Sequence, residues 1–151
     1  MKVFTIGFTQ KHAEEFYEKI KKAKIDLLID VRLNNISQLA SFSKYPDIVY
    51  FLDKLCNVKY CHDIMLSPTE TLLKNYKKGV VTWDEYEVVF KKTMTERKIT
   101  EYICEKYSDY SNSNICLLCS EPTADKCHRR LVAQYFNEVF DSDTIHIWGG
   151  I

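Results

Sequence analysis

The sequence lacks a charge excess of either sign, any long apolar segment, and the glycine-rich motifs that cradle phosphates. Its 151 residues carry 21 basic and 21 acidic side chains and only four glycines. Zero net charge disfavours a general nucleic-acid binder, which needs a basic excess to neutralise phosphates. No apolar segment approaches the roughly 20 residues that span a bilayer, so we predict no membrane association. Neither a G-x-G-x-x-G dinucleotide motif nor a P-loop occurs.

The N-terminal residues 1–7 also lack the long apolar core and the cleavage site of a secretory signal peptide. We therefore predict a cytoplasmic protein, in which the six cysteines stay reduced. Most of them, including Cys104 and Cys116, should be buried core residues, because free cysteine packs as a small hydrophobe. The length and a hydrophobic fraction of 46% favour one folded domain over residues 1–151.

Short apolar segments alternate with amphipathic ones along the whole chain. The apolar segments predict strands at 2–7, 25–31, 58–61, 115–119 and 144–148. The amphipathic segments predict helices at 11–23, 47–56, 67–78, 82–107 and 127–140, and we expect Thr9, Ser67 and Thr82 to cap three of them. This alternation predicts a three-layer, Rossmann-like α/β fold with a mostly parallel sheet of about five strands.

The richest chemistry lies where the predicted strand 115–119 turns into the last helix. Ligands of open α/β sheets bind beyond the carboxyl ends of strands. A helix N-terminus, capped in our interpretation by Thr123, would favour a thiolate, and a nearby imidazole can act as its base. The candidate catalytic residues are therefore Cys119, Glu121, Cys127 and His128.

A second group of candidates would bind the ligand. Helix N-termini and guanidinium groups both suit phosphate or carboxylate. Asp30 has two interpretations: a ligand group that binds a ribose hydroxyl or orients a base, or a structural group that caps the following loop or pairs with Arg32. Because the first two predicted strands should end beside the junction, we expect one composite site. Its candidate ligand-binding residues are Gly7, Thr9, Asp30, Arg32 and Arg129.

Four short pieces of the sequence together carry a family resemblance. They are Thr5-Ile6-Gly7 with Thr9, Asp30-Val31-Arg32, Cys119-Ser120-Glu121 with Cys127-His128-Arg129, and His146-Ile147. In this order they resemble the domain-of-unknown-function 488 (DUF488) family, small α/β proteins of bacteria and archaea. The resemblance implies a Rossmann-like sheet with these residues gathered near one cleft, and it implies no particular reaction. The family commonly has a histidine, in a Thr-Ile-Gly-His-Ser pattern, where this chain has Phe8.

We therefore carry three hypotheses. The first is an enzyme or enzyme-like protein that binds a phosphate-bearing or other anionic, nucleotide-like ligand at the Cys-x-Glu…Cys-His-Arg junction. The second is a non-catalytic ligand sensor or partner-binding module, which Phe8 favours. Under any of the three hypotheses, the long polar segment 33–45 is predicted to be a lid or an interface, and the sequence assigns no oligomeric state.

The third hypothesis is a metal-binding redox protein. Cys119, Cys127 and His128, with Glu121 or His146, have the donor types of a mixed zinc or iron site. Adjacent residues on a helix point about 100° apart, however, which disfavours Cys127 and His128 on one metal. The sequence therefore assigns neither a metal ligand nor a cofactor.

Overall fold

Five strands form an entirely parallel sheet in the computed structural model of the protein, which describes residues 1–36, 40–120 and 126–147. The strands are β1 (Lys2–Gly7), β2 (Leu27–Asp30), β3 (Lys59–His62), β4 (Asn114–Cys119) and β5 (Thr144–Ile147). Their order across the sheet is β3-β2-β4-β1-β5. The strand of the predicted junction, β4, therefore lies between the first two strands of the chain.

Helices cover both faces of this sheet. On one face lie α1 (Ala13–Lys22) and α2 (Asp47–Phe51), which continues as a π-helical turn over Leu52–Cys56. On the other face lie α3 (Glu70–Lys77), α4 (Trp83–Glu96), α5 (Ile99–Tyr107) and α6 (His128–Phe140). The three-layer, Rossmann-like α/β fold is confirmed. None of the described helices is both long and apolar enough to cross a bilayer.

The central strand shows why the sheet needs both layers. Successive β4 residues point to opposite faces, so Ile115 and Leu117 pack under α4–α6 while Cys116 and Leu118 pack under α1 and α2. All four side chains are fully buried. A strand buried on both faces is continuously apolar, which explains the apolar segment seen in the sequence.

Two of the predicted helix starts are wrong. Thr9 does not cap α1, because its hydroxyl donates a hydrogen bond to the Ser120 carbonyl instead. Ser67 does not cap α3, since its hydroxyl donates to the Ile64 carbonyl, and Thr69 is the N-cap. In both cases a backbone carbonyl outside the helix binds the hydroxyl that would otherwise cap it. The capping box at Thr82 is confirmed.

The single helix predicted over 82–107 is two helices. Lys98, with a φ of 52°, separates α4 from α5. The buried residues Tyr86, Phe90 and Met94 follow at intervals of four, but the next buried residue is Ile99 rather than residue 98. A continuous helix would turn the Ile99 side away from the sheet, so the break restores the buried face.

Candidate functional site

A cavity of about 360 Å³ opens at the carboxyl ends of β1, β2 and β4, where α/β folds usually bind ligands. It is lined by Thr9, Arg32, Leu33, Asn34, Pro68, Leu73, Tyr76, Lys77, Trp83, Tyr86, Cys119, Ser120, Lys126, Cys127 and His128. The register places Gly7 opposite Cys119, and Asp30 opposite Leu118. The ends of the first two strands therefore flank the junction, as the sequence indicated.

The predicted site residues fall into three groups. Those in the cavity lining are Thr9, Arg32, Cys119, Cys127 and His128. Those close by but outside the lining are Gly7, Asp30 and Arg129, of which Asp30 and Arg129 are almost fully buried. Glu121 and the proposed cap Thr123 lie outside the described residues. The roles assigned to all of these residues stay predictions.

Cys119 and His128 form a close thiol–imidazole pair. The Cys119 Sγ lies 3.6 Å from Nδ1 of His128. The Nε2 atom of the same ring lies 2.7 Å from the Val31 carbonyl oxygen. A carbonyl oxygen only accepts, so Nε2 carries the hydrogen, and Nδ1 of the neutral ring is left as an acceptor. The Cys119 sulfur also lies 3.9 Å from Nε2, so it sits beside the ring at nearly the same distance from both nitrogens. The end of β2 therefore holds a neutral imidazole in contact with the Cys119 sulfur.

Cys127 completes this cluster from the residue before α6. Its backbone is extended, with φ −141° and ψ 137°, so the helical argument that Cys127 and His128 diverge by about 100° does not apply. The candidate ligand atoms of Cys119, Cys127 and His128 all lie within 4.8 Å of one another, and all three residues are buried. Nη1 of Arg129 donates to the Cys127 sulfur at 3.7 Å.

The two thiols of the cluster ionise differently. A hydrogen bond from Cys127 lowers the pKa of Cys119 despite burial, and the Arg129 guanidinium acts in the same direction. Burial raises the pKa of Cys127 well above its ordinary value, and the neighbouring Cys119 adds to this effect. Cys119 is therefore the thiol that carries the negative charge first.

Asp30 and Arg32 satisfy each other. Arg32 donates from Nε to Oδ1 of Asp30 at 2.8 Å and from Nη2 to Oδ2 at 2.6 Å. Tyr60 adds a hydrogen bond to Oδ2 of Asp30, and Arg32 also donates to the Ser43 carbonyl. Burial disfavours the charge on Arg32, but the hydrogen bonds and ion pair with Asp30 raise its pKa. Of the two sequence interpretations of Asp30, the structure contains the ion pair.

Phe8 lies behind the cavity lining. It is 2% exposed and belongs to the core under α1 and α2. The Arg32 guanidinium carbon lies 5.2 Å from the centre of its ring. Phe8 therefore supports the Arg32 side chain by packing and a cation–π contact, and it presents no group that could transfer a proton.

The outer wall of the cavity was missed by the sequence interpretation. Trp83 and Tyr86 stack with ring centres 5.0 Å apart and an interplanar angle of 17°. Tyr86 is buried in the core, Trp83 is half-buried, and both side chains line the cavity. Lys77 and Lys126 are exposed on the same lining. The capping box at Thr82 could have indicated this position in the sequence. It places Trp83 on the first turn of α4, at the end of the helix nearest the strand ends.

The remaining cysteines and histidines lie apart from the cluster. Cys116 and Cys119 have Cys-x-x-Cys spacing, but they are three positions apart on β4 and pack on opposite faces of the sheet. Cys104 is exposed, so its predicted core role is wrong; its helix turns it away from the buried residues Ile99 and Ile103. His146 contacts the Thr5 hydroxyl at 2.5 Å through Nδ1.

The family described as domain of unknown function DUF488 matches residues 12–136 of the chain. No curated protein and no solved structure matches it.

Proposed function

The chain belongs to the family described as domain of unknown function DUF488, and we propose that this member is a thiol-dependent enzyme acting on a small anionic ligand. The observation that carries the proposal is the 3.6 Å approach of the Cys119 Sγ to Nδ1 of His128 in the lining of the cavity. A nucleophile, an adjacent base, and a third group that orients the base are the usual elements of covalent catalysis. Here the Val31 carbonyl orients the base.

The charges around the cavity support an anionic ligand. Within the described part of the chain, its lining contains the cations Arg32, Lys77 and Lys126 and no carboxylate. Arg32 is held by Asp30, so the two lysines at the rim are the cations available to a ligand. Trp83 adds half-buried aromatic surface to the lining, against which an aromatic part of a ligand can pack. A phosphorylated or carboxylated ligand with an aromatic ring, such as a nucleotide, combines these features.

The reaction would be a substitution in two steps. The Cys119 sulfur forms a bond to an electrophilic atom of the ligand, and its proton passes to Nδ1 of His128. The bond to the leaving group breaks, and the leaving group departs with that proton. A water molecule then releases the ligand fragment from the sulfur, giving one proton back to the thiol through His128.

Two alkylating reagents that differ in charge test this proposal. Iodoacetate and iodoacetamide share one reactive carbon, but only iodoacetate is an anion. We expect the iodoacetate-to-iodoacetamide rate ratio at Cys119 to exceed the ratio at the exposed Cys104 of the same chain by roughly tenfold, because a cationic cleft concentrates anions. Peptide mass spectrometry measures both sites in one sample.

Matched variants separate the two parts of the proposal. Lys77→Gln with Lys126→Gln should bring the Cys119 ratio close to the Cys104 ratio without removing alkylation. His128→Gln should slow both reagents at Cys119 and leave Cys104 unchanged. Adenosine monophosphate and inorganic phosphate should each protect Cys119 in the wild-type protein. Equal rate ratios at Cys119 and Cys104 would refute the anionic ligand. Equal alkylation rates of Cys119 in the wild-type protein and in His128→Gln would refute the thiol–imidazole pair.

Phe8 favours one second candidate, a ligand sensor without turnover. The family commonly has a histidine at this position, and the phenyl ring of Phe8 supplies no proton transfer next to Arg32. Under this alternative the cavity binds the same anionic ligands, and Cys119→Ser leaves their affinity unchanged. Restoring the histidine with Phe8→His and screening phosphorylated compounds for turnover distinguishes the candidates, because only the sensor gains activity from that substitution.

A further inference from the structure

The cluster of Cys119, Cys127 and His128 has the dimensions of a metal site. Its three candidate ligand atoms lie within 4.8 Å of one another. Two ligands of a tetrahedral zinc ion, with Zn–S about 2.3 Å and Zn–N about 2.0 Å, lie about 3.5 Å apart. The separation between the Cys119 Sγ and Nδ1 of His128 is 3.6 Å. The spacing of these two ligand atoms therefore matches that of a tetrahedral site.

The surroundings of the cluster also match those of metal ligands. A histidine that binds a metal through one ring nitrogen usually donates its other N–H to a carbonyl or carboxylate. Here Nε2 of His128 is bonded to the Val31 carbonyl at 2.7 Å, which leaves Nδ1 as the ring nitrogen available to a metal. Arg129 donates to the Cys127 sulfur at 3.7 Å, a contact that stabilises a thiolate.

The donor set selects the class of metal. Two thiolates and one imidazole are soft to borderline donors, which suit Zn²⁺ and disfavour Mg²⁺ or Ca²⁺. All three side chains are buried, so water competes little for the ion. The same three residues also line the cavity, so the fourth position of a tetrahedral ion would face the ligand space.

We infer that Cys119, Cys127 and His128 form a binding site for one Zn²⁺ ion per chain, with an open fourth position on the cavity. Metal binding follows from the geometry alone. Its consequence rests on the proposed function: because Zn²⁺ would occupy the same sulfur and the same ring nitrogen, the loaded protein cannot use Cys119 as a nucleophile. Zinc would act as a reversible block of the thiol.

Direct metal binding tests the site. The full chain is freed of metal with a chelator and titrated with Zn²⁺, and then with Co²⁺, whose absorption reports thiolate ligands. We expect one equivalent of Zn²⁺ per chain and a thiolate-to-cobalt charge-transfer band. A missing band in the wild-type protein overturns the inference without reference to any variant.

Variants identify the ligands. Cys127→Ser and His128→Gln should each weaken Zn²⁺ binding by about 100-fold or more, since each removes one of three protein ligands. Cys104→Ser, on the exposed face of α5, should bind Zn²⁺ as the wild type does. Binding that is equal in Cys127→Ser and wild type would place the ion elsewhere and overturn the site.

Alkylation separates the metal site from the proposed function. Zn²⁺ should protect Cys119 from iodoacetamide in the wild-type protein, and Cys127→Ser should lose this protection, measured in each protein as the ratio of the Cys119 alkylation rates without and with Zn²⁺. If Zn²⁺ binds with the expected stoichiometry but Cys119 is unreactive in the metal-free protein, the site stands and the proposed function fails. If Cys119 reacts and Zn²⁺ gives no protection, the site fails and the proposed function stands.

Discussion

The buried ion pair between Asp30 and Arg32 makes the strongest prediction for a single residue. Asp30 is 0% exposed and Arg32 is 4% exposed, so neither charge is solvated by water if its partner is removed. Asp30→Asn keeps the shape of the side chain but leaves a buried cation without its counter-charge. We expect a loss of about 3 kcal/mol in the free energy of unfolding, measured by urea denaturation.

The exposed pair of Glu70 and Lys74 provides the matched control. It has a similar separation, 2.8 Å, but its side chains are 71% and 63% exposed. Glu70→Gln should therefore leave the midpoint of urea denaturation almost unchanged. Similar losses in the two variants would mean that burial of the Asp30 pair contributes nothing.

Lys11 is a buried cation that forms no hydrogen bond with the described residues. It is 8% exposed, and its Nζ atom has no hydrogen-bond partner among them. Burial lowers the pKa of Lys11, and the nearby Arg129 guanidinium lowers it further. Lys11→Met should therefore stabilise the protein by about 1 kcal/mol at pH 7, while Lys92→Met, at an exposed position of α4, should stay within about 0.5 kcal/mol.

The pH dependence of this gain has a definite sign. A lysine with a lowered folded-state pKa binds fewer protons folded than unfolded, so the wild-type protein gains stability as the pH rises through that pKa toward 10.5. The advantage of Lys11→Met is therefore full below the folded pKa and disappears as the pH approaches 10.5. Urea denaturation at pH 7 and pH 10 measures it, and an advantage that grows with pH would contradict the assignment.

Only part of the residue-level site was predictable. Cys119, Cys127 and His128 stand out because they follow a buried strand in sequence, and strand ends collect ligands. Tyr60 and Ser43, which hold Asp30 and Arg32, come from segments 30 and 11 positions away. Contacts of this kind depend on the order of strands and on loop paths, which local patterns do not encode.

At the scale of the element, the capping box of α4 makes a local prediction. The Thr82 hydroxyl accepts from the Glu85 N–H, and the Glu85 carboxylate accepts from the Thr82 N–H. Thr82→Ala should cost about 1 kcal/mol, because the Glu85 N–H loses its side-chain acceptor at the helix N-terminus. It should also loosen Trp83, the first residue of the helix, which a change in tryptophan fluorescence would report.

Thr95 on the same helix is the control for this prediction. Its hydroxyl is exposed and donates to the Lys91 carbonyl one turn earlier. Thr95→Ala should leave the free energy of unfolding unchanged or raise it by less than about 0.5 kcal/mol, since alanine is the better helix former. A loss equal to that of Thr82→Ala would show that the hydroxyl's position on the helix is irrelevant.

Elements were predictable where their signals are local, and less so where segments compete. The Thr82 box acts within one turn, and its prediction is confirmed. The sequence also contains a signal for the break at Lys98. The buried residues of α4 follow one another at intervals of four, but Met94 and Ile99 are five positions apart. Thr9 failed as a cap because Ser120, 111 positions away, accepts its hydrogen bond.

At the scale of the whole molecule, the site depends on the position of β4. β4 pairs with β2 on one side and with β1 on the other. This arrangement brings Arg32, Thr9 and Cys119 to one cavity, although they are far apart in sequence. The alternation of elements predicted a parallel sheet, and the family pieces at three strand ends predicted their convergence. The complete strand order needed the structure.

The central position of β4 leads to a prediction about cooperative unfolding. Cys116 lies in the middle of this strand, opposite Leu28 of β2 and Phe4 of β1, and is fully buried. Burial also raises the pKa of its thiol to about 12, so the folded state presents no reactive thiolate. Alkylation of Cys116 should therefore require opening of the sheet between its central strands, which are the last part of such a fold to open.

Pulses of iodoacetamide at increasing urea concentration measure this opening. The urea midpoint for labelling of Cys116 should equal the midpoint of the global transition seen by circular dichroism, while the exposed Cys104 should be labelled without urea. Labelling of Cys116 well below the global midpoint would mean that β4 separates from a neighbour while the helices persist, and the site at its end could then open independently of the rest of the fold.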